Sequence, residues 1–304
     1  MYQVIRASRS EFVPIRQLRY HVRLWGEGSA DAPPLVLVHG WMDVAASWQF
    51  MVDALPPDFA QRRLIIAPDW RGYGDTEAPG ADNYWFPDYL ADLDFLLDHY
   101  AADRPVDLVG HSMGGNIAML YAGVRPQRIR RLVNLEGFGM PATRPAQAPG
   151  RYARWIDELK ALHRGDMALK AYDGPEGVAN RLIRNNPRLD RARAEWLAPH
   201  WARADAGGAW RILGDPAHKI VNANLYQVEE TLVLYRSITA PTLVVEASDN
   251  ALDKWWKGQF TLEEFHDRLR QVPQLTRERI EDAGHMLHHD QPAALARLVA
   301  SFLA

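Results

Sequence analysis

The sequence predicts an α/β fold: a mostly parallel sheet of about eight strands, helices on both faces, and a helical cap inserted late in the chain. Three observations predict it. Leu35–Val38 and residues 64–67 are short and apolar, as strands covered on both faces are, and the four residues ending in Leu108 and Val109 read as another buried parallel strand. Segments of helical spacing separate them, and such alternation implies parallel strands joined by crossover helices. After Gly139 the alternation gives way to helical spacing alone, and it resumes only at Thr242.

Residues 12–25 alternate loosely through Ile15, Leu18, Tyr20, Val22 and Leu24, which predicts a hairpin or two edge strands. Residues 26–34 form a polar turn. The strand Leu35–Val38 ends in His39-Gly40-Trp41. Residues 45–55 suit a helix stopped by Pro56 and Pro57. Residues 64–67 make the next strand, and 68–75 are a loop by composition. Leu90, Leu93, Leu97 and Tyr100 share one stripe of a helix over 89–100. A strand ending at Val109 and a helix over 116–123 then bracket a glycine-rich turn. Ile129–Leu135 is the fourth buried strand. It ends at Glu136, and Gly137-Phe138-Gly139 breaks it.

Pro141, Pro145 and Pro149 make a stiff linker into a region of helical fragments at 152–162, 178–183, 189–196 and 225–235, in which no strand is expected. The chain therefore divides into a core of residues 1–136 and 241–304 and a cap of residues 137–240. In the core's second part, Thr242 opens a strand after Pro241 and Asp249 lies in the loop beyond it. Leu262–Leu269 is a helix, residues 276–280 a weak last strand, and Gly284-His285 follows. Residues 293–303 close the chain as a helix with Pro292 in its first turn.

The glycine-rich turn carries the chemistry. Gly110-His111-Ser112-Met113-Gly114 is a G-x-S-x-G pattern between a strand and a helix, which is the context that exposes a nucleophilic serine at the apex of a sharp turn. A serine hydroxyl needs an imidazole to take its proton. His285, in a loop after the last strand, is the best placed of eleven histidines. His288 and His289 are weaker candidates, and His111 is given a packing role. A carboxylate must orient the imidazole. Glu136, at the end of the strand after the nucleophile, is preferred, with Asp249 after the cap as the alternative. Backbone N–H groups of Met113 and Trp41 are the expected oxyanion donors. His39, Asp43, Asp69, Arg71 and Asp75 read as braces of the neighbouring loops.

Composition excludes several classes. With 35 basic and 38 acidic residues the net charge is −3, which offers no basic field for nucleic acid. Zero cysteines rule out a thiol nucleophile or a cysteine metal site. No run of eighteen apolar residues spans a membrane, and the polar first residues lack a secretory h-region, which favours a cytoplasmic location. There is no Walker or dinucleotide pattern and no H-E-x-x-H, so no cofactor is expected. His285, His288, His289 and Asp290 superficially resemble metal ligands, but the base role of His285 argues for no metal. The oligomeric state is open. Several of the eleven tryptophans fall in the insertion; Trp155, Trp196, Trp201 and Trp210, with Tyr226 and Tyr235, either line an apolar cavity or hold the cap together.

With these residues placed, the chain resembles the α/β-hydrolase fold superfamily over nearly its whole length. The order serine, acid, histidine is that superfamily's. His39-Gly40, Asp69-x-Arg71-Gly72-x-Gly74, Gly110 through Gly115 and Gly284-His285 all match it. His39-Gly40-Trp41-Met42-Asp43 and Asn134-Leu135-Glu136-Gly137 look most like the serine-hydrolase-like proteins near the haloalkane dehalogenase and epoxide hydrolase branch. Those two enzymes use an aspartate nucleophile. Ser112 stands there in this chain, and Met113 replaces the halide-gripping tryptophan. The resemblance therefore implies a serine hydrolase acting on an ester or related acyl bond of a small to medium apolar molecule. A cofactor-free perhydrolase or haloperoxidase-like activity, a lactonase, a C–C hydrolase and a non-catalytic binding protein are the alternatives.

Overall fold

The computed structural model describes residues 2–304; Met1 lies outside them. Eleven strands are seen in chain order: β1 (Arg9–Ile15), β2 (Leu18–Trp25), β3 (Leu35–Val38), β4 (Ile65–Pro68), β5 (Val106–His111), β6 (Ile129–Leu135), β7 (Ala171–Tyr172), β8 (Ala202–Ala204), β9 (Trp210–Ile212), β10 (Thr242–Ala247) and β11 (Leu275–Ile280). Eight form one sheet in the order β1-β2-β4-β3-β5-β6-β10-β11. The expected hairpin is β1 and β2, and β2 is antiparallel to both of its neighbours. Every other pairing is parallel. Strands β3, β4 and β5 are buried at every residue, as strands covered on both faces are; in β5 this includes Asp107, which pairs with Arg63 and Arg130. The last strand is faint in the sequence because it is an edge: Thr276, Arg277, Glu278 and Arg279 are exposed, and edge charges discourage pairing with another chain.

Two apolar layers cover the sheet. On one face Leu93, Leu97, Ile117, Tyr121 and Phe265 pack on Val36, Leu108 and Leu132. On the other Trp48, Met51, Leu295 and Val299 pack on Leu37, Val109 and Val133. Each fully buried side chain of this size stabilises the fold by ~1.5–3 kcal/mol. The helix Phe86–Ala101 also buries Asp92, which sits opposite Tyr20 and Arg71 rather than facing solvent.

Three local expectations change. The helix expected at 45–55 is a 3-10 turn, Ala45–Trp48, continuing as an α-helix, Gln49–Ala54. Pro57 does not end structure; it opens the helix Pro57–Gln61, whose first turn needs no N–H at that position. The insertion is mainly helical, with Ala148–His163, Pro175–Asn185, Arg191–Trp201 and Val228–Arg236. It also contains strands, contrary to expectation: β7, β9 and β8 make a small antiparallel sheet. Strands of two and three residues are too short to show alternation.

The insertion has its own apolar centre of Val178, Leu182, Leu197, Trp201 and Ile212, continuous with Val44 and Phe50 of the core. Its last helix packs back on the helix Met113–Val124, where a Cβ on Gly123 would lie 2.3 Å from the Leu234 carbonyl oxygen. Trp201 is buried in this centre, whereas Tyr235 is buried in the layer over the main sheet and Trp196 packs on Tyr2 and Phe50, so these side chains fasten the insertion to the body.

Candidate active site

Strands β3, β5, β6, β10 and β11 run parallel, so their carboxyl ends open on one edge of the sheet, where α/β sheets place ligands. Ser112 stands between β5 and the helix Met113–Val124 with φ 53° and ψ −116°. A side-chain-bearing residue is strained there by ~1–3 kcal/mol. The flanking glycines let the turn close. A Cβ on Gly110 would lie 2.3 Å from the Gly114 carbonyl oxygen, and one on Gly114 2.3 Å from that of Val38. The helix start, with the Met113 N–H, is thereby pressed against the end of β3.

Glu136 follows β6 and also has a left-handed backbone, φ 56°. The Asn134 side chain bonds both the N–H and the carbonyl of Gly137 at 2.9 Å, which fixes the turn. The buried Glu136 carboxylate then reaches two neighbours. Oε1 accepts the Ala247 N–H at 2.7 Å, and Oε2 lies 3.2 Å from His285 Nδ1. Asp249 is elsewhere: its side chain is 56% exposed and meets Arg188 at 3.3 Å. Loss of water around the charged form pushes the Glu136 carboxyl up to about 8 and the His285 imidazole down to about 4.

His285 is held from two further sides. His111 Nε2 donates to its carbonyl at 2.7 Å, and Trp255 sets its ring edge-on at 4.4 Å. Neither role is visible in sequence, because His111 and Trp255 meet His285 only through the fold. The expectation of mere packing for His111 thus gives way to a specific hydrogen bond.

On the other side lies the loop after β3. A Cβ on Gly40 would meet Ser112 Cβ and His111 Nδ1 at 3.1 Å, so Gly40 lets this loop approach the serine. His39 braces it: Nδ1 bonds the Gly40 carbonyl at 2.8 Å, and Nε2 accepts the Trp70 N–H at 2.9 Å. Asp69 takes the Ala45 N–H at 2.7 Å, the Asp75 N–H at 2.9 Å and His21 Nδ1 at 2.7 Å. Arg71 forks onto Asp92 at 2.6 and 2.8 Å. The Trp41 side chain is half exposed and donates its indole N–H to the His218 carbonyl at 3.2 Å. His218, from the insertion, is stacked between Tyr73 and Tyr84 at 3.8 and 3.6 Å, and its Nε2 bonds the Arg71 carbonyl at 3.1 Å.

The four residues grouped in sequence as possible metal ligands separate. His285 faces Glu136. Asp290 accepts the Gly284 N–H and the Asn186 amide. His288 is buried against His111, 4.5 Å between rings, and His289 against Phe50, 5.4 Å.

A family model described as alpha/beta hydrolase fold matches residues 33–292. A serine hydrolase-like protein of Danio rerio is 25% identical over 307 residues, covering 98% of this chain and 90% of the relative. A 2-hydroxy-6-oxo-2,4-heptadienoate hydrolase of Pseudomonas putida is 37% identical over 107 residues, 35% of this chain and 38% of the relative. Among solved structures, a hypothetical protein of Pseudomonas aeruginosa PAO1 superposes with TM-score 0.82 at 25% identity, over 96% of this chain and 98% of the other.

Proposed function

We propose that this chain, which belongs to the alpha/beta hydrolase fold family, is a serine hydrolase that cleaves an ester or related acyl bond of a small to medium apolar molecule, with residues 137–240 as its cap. The observation that carries the reading is the pairing of His285 Nδ1 with Glu136 Oε2 at 3.2 Å. With Nδ1 so engaged, Nε2 is the nitrogen free to serve Ser112.

In this reading Ser112 Oγ attacks the substrate carbonyl as His285 Nε2 takes its proton. The oxyanion is met by the main-chain N–H groups of Met113, at a helix start, and Trp41. Collapse of the tetrahedral intermediate expels the alcohol, which receives the proton from His285 and leaves an acyl-Ser112. Water, deprotonated by His285, then releases the acid and restores the serine. Glu136 fixes the tautomer and offsets the imidazolium charge. No helix among the described residues is long and apolar enough to cross a membrane.

The local similarity to the heptadienoate hydrolase favours a second reading, hydrolysis of a C–C bond beside a ketone, on the same three residues. Fluorophosphonate labelling of Ser112, followed by turnover of nitrophenyl esters of graded acyl length and of 2-hydroxy-6-oxo-2,4-heptadienoate, separates the readings. Ester turnover lost in S112A supports the first. Turnover of the dienoate alone moves the assignment to the second, and no labelling of folded protein overturns both.

A further inference from the structure

Behind the Ser112 turn, three buried polar atoms converge. Asp43, His111 and His288 each offer one ligand atom within 4.8 Å of the other two, and their buried, unpartnered atoms include Asp43 Oδ2, His111 Nδ1 and His288 Nε2. The residues are 3%, 2% and 0% exposed, and among the described residues none of the three atoms has a hydrogen-bond partner. From this geometry we infer a binding site for a single divalent transition metal of the zinc type.

The reason is a mismatch of donors and acceptors. His111 Nε2 faces the His285 carbonyl at 2.7 Å, and a carbonyl can only accept, so the proton is on Nε2 and Nδ1 presents a lone pair. Asp43 Oδ1 is occupied by the Val44 N–H at 2.8 Å and the Ser47 hydroxyl, and Oδ2 presents lone pairs to the same space. A single N–H from His288 Nε2 can serve one of these two acceptors, never both. The only ion-pair partner of Asp43 among the described residues is His288, at 3.8 Å. A cation answers both deficits, since it accepts lone pairs from all three atoms and balances the carboxylate.

Two imidazoles and a carboxylate are a donor set that suits zinc. Zinc bonds of about 2.0–2.1 Å imply ligand separations of roughly 3.3 Å, so ligand atoms that now lie within 4.8 Å of one another close by up to ~1.5 Å around the ion. A ligating histidine normally gives its other N–H to a carbonyl or carboxylate; His111 gives its own to the His285 carbonyl, whereas His288 Nδ1 has no such partner among the described residues. The ion would therefore pin the residue that holds the His285 loop. The inference stands on the three orphaned atoms and not on the assignment of Ser112 as nucleophile.

The site is enclosed, so the full chain is unfolded in chelator, refolded with Zn²⁺ or Co²⁺, and desalted. The expected result is about one metal per chain by mass spectrometry, four-coordinate visible bands for Co²⁺, and a raised melting temperature. Metal affinity should fall at least ~10-fold in Asp43→Asn and in His288→Gln, with E136Q unaffected. Less than about a tenth of an equivalent bound, or equal binding by the two ligand variants, overturns the site and leaves a bridging water as the occupant. Should those variants not fold, ¹¹³Cd-loaded wild type decides the matter by NMR. Cadmium coupling to His111 and His288 supports the site, and coupling to other histidines or to none overturns it.

Discussion

Glu136 and His285 are 149 positions apart in sequence and meet at 3.2 Å, carboxylate oxygen to imidazole Nδ1. Asp249 points to Arg188 instead. The first prediction is that E136Q lowers kcat by up to ~10⁴, the cost of losing an orienting acid in a serine protease. D249N should stay within a few-fold of wild type. Stopped assays on both, with circular dichroism to verify folding, decide it; a large loss in D249N with E136Q near wild type would reverse the two assignments.

The same pair sets the expected pH profile. A functional base needs Glu136 charged and His285 neutral with its proton on Nδ1. Burial opposes the charged carboxyl and raises it to about 8, so the pair holds an extra proton below that value. Log kcat/KM should therefore rise with pH up to a bend near 8, above the ordinary imidazole value of ~6.5. An inflection at or below ordinary imidazole pH would show that the pair sheds its proton more easily than its burial implies.

Stability should fall in acid, in the same sense as a carboxylate-driven profile but through buried imidazoles and so from a higher pH. His39, His111, His200, His218, His285, His288 and His289 are all lowered by burial, to about 3 or 4 where the values are resolved. Between ~6.5 and those values the unfolded chain binds protons that the folded chain refuses, so stability falls as pH drops through that window, by up to ~1.4 kcal/mol per pH unit for each imidazole. Glu136 works the other way: its folded value is raised, and its contribution declines as pH climbs from about 4.5 to about 8. The imidazoles outnumber it, and urea midpoints should fall steeply from pH 7 to pH 5. Midpoints that hold steady across that range would contradict neutral burial of these rings.

Ser112 is strained, with φ 53°, and glycine relieves such strain. S112G should lose turnover and gain ~1 kcal/mol of stability relative to S112A, which keeps the Cβ. Denaturant titration of the two inactive variants measures the difference; equal midpoints would show a relaxed turn.

Much of this was legible from local pattern. Ile129–Leu135 has the same bounds in the sequence reading and in the structure, since a buried run between charged and glycine residues has only one way to be a strand. The serine turn was equally plain, because Gly110 and Gly114 are needed wherever backbone must touch backbone. What was hidden depends on partners far away in sequence. Arg71 reads from the sequence as a brace of its own loop, and its partner is Asp92, on the inner face of a helix whose apolar stripe masks it. His111 and Trp255 act on His285 through contacts that no spacing rule anticipates. The strands of the insertion were missed because they are too brief to have a period.

The stacking of His218 between Tyr73 and Tyr84 bears on whether the insertion is an exchangeable module. A Cβ at Gly72 would come within 2.1 Å of the Tyr84 hydroxyl and 2.7 Å of His218 Nε2. The body of the molecule has thus been cut to receive one particular histidine. A foreign insertion grafted at the same junctions would bring no ring to fill the slot, and would leave the Trp41 indole without its acceptor. Transplanting specificity between relatives of this architecture would then require moving residues 215–218 together with Gly72 and both tyrosines, as a single lock and key.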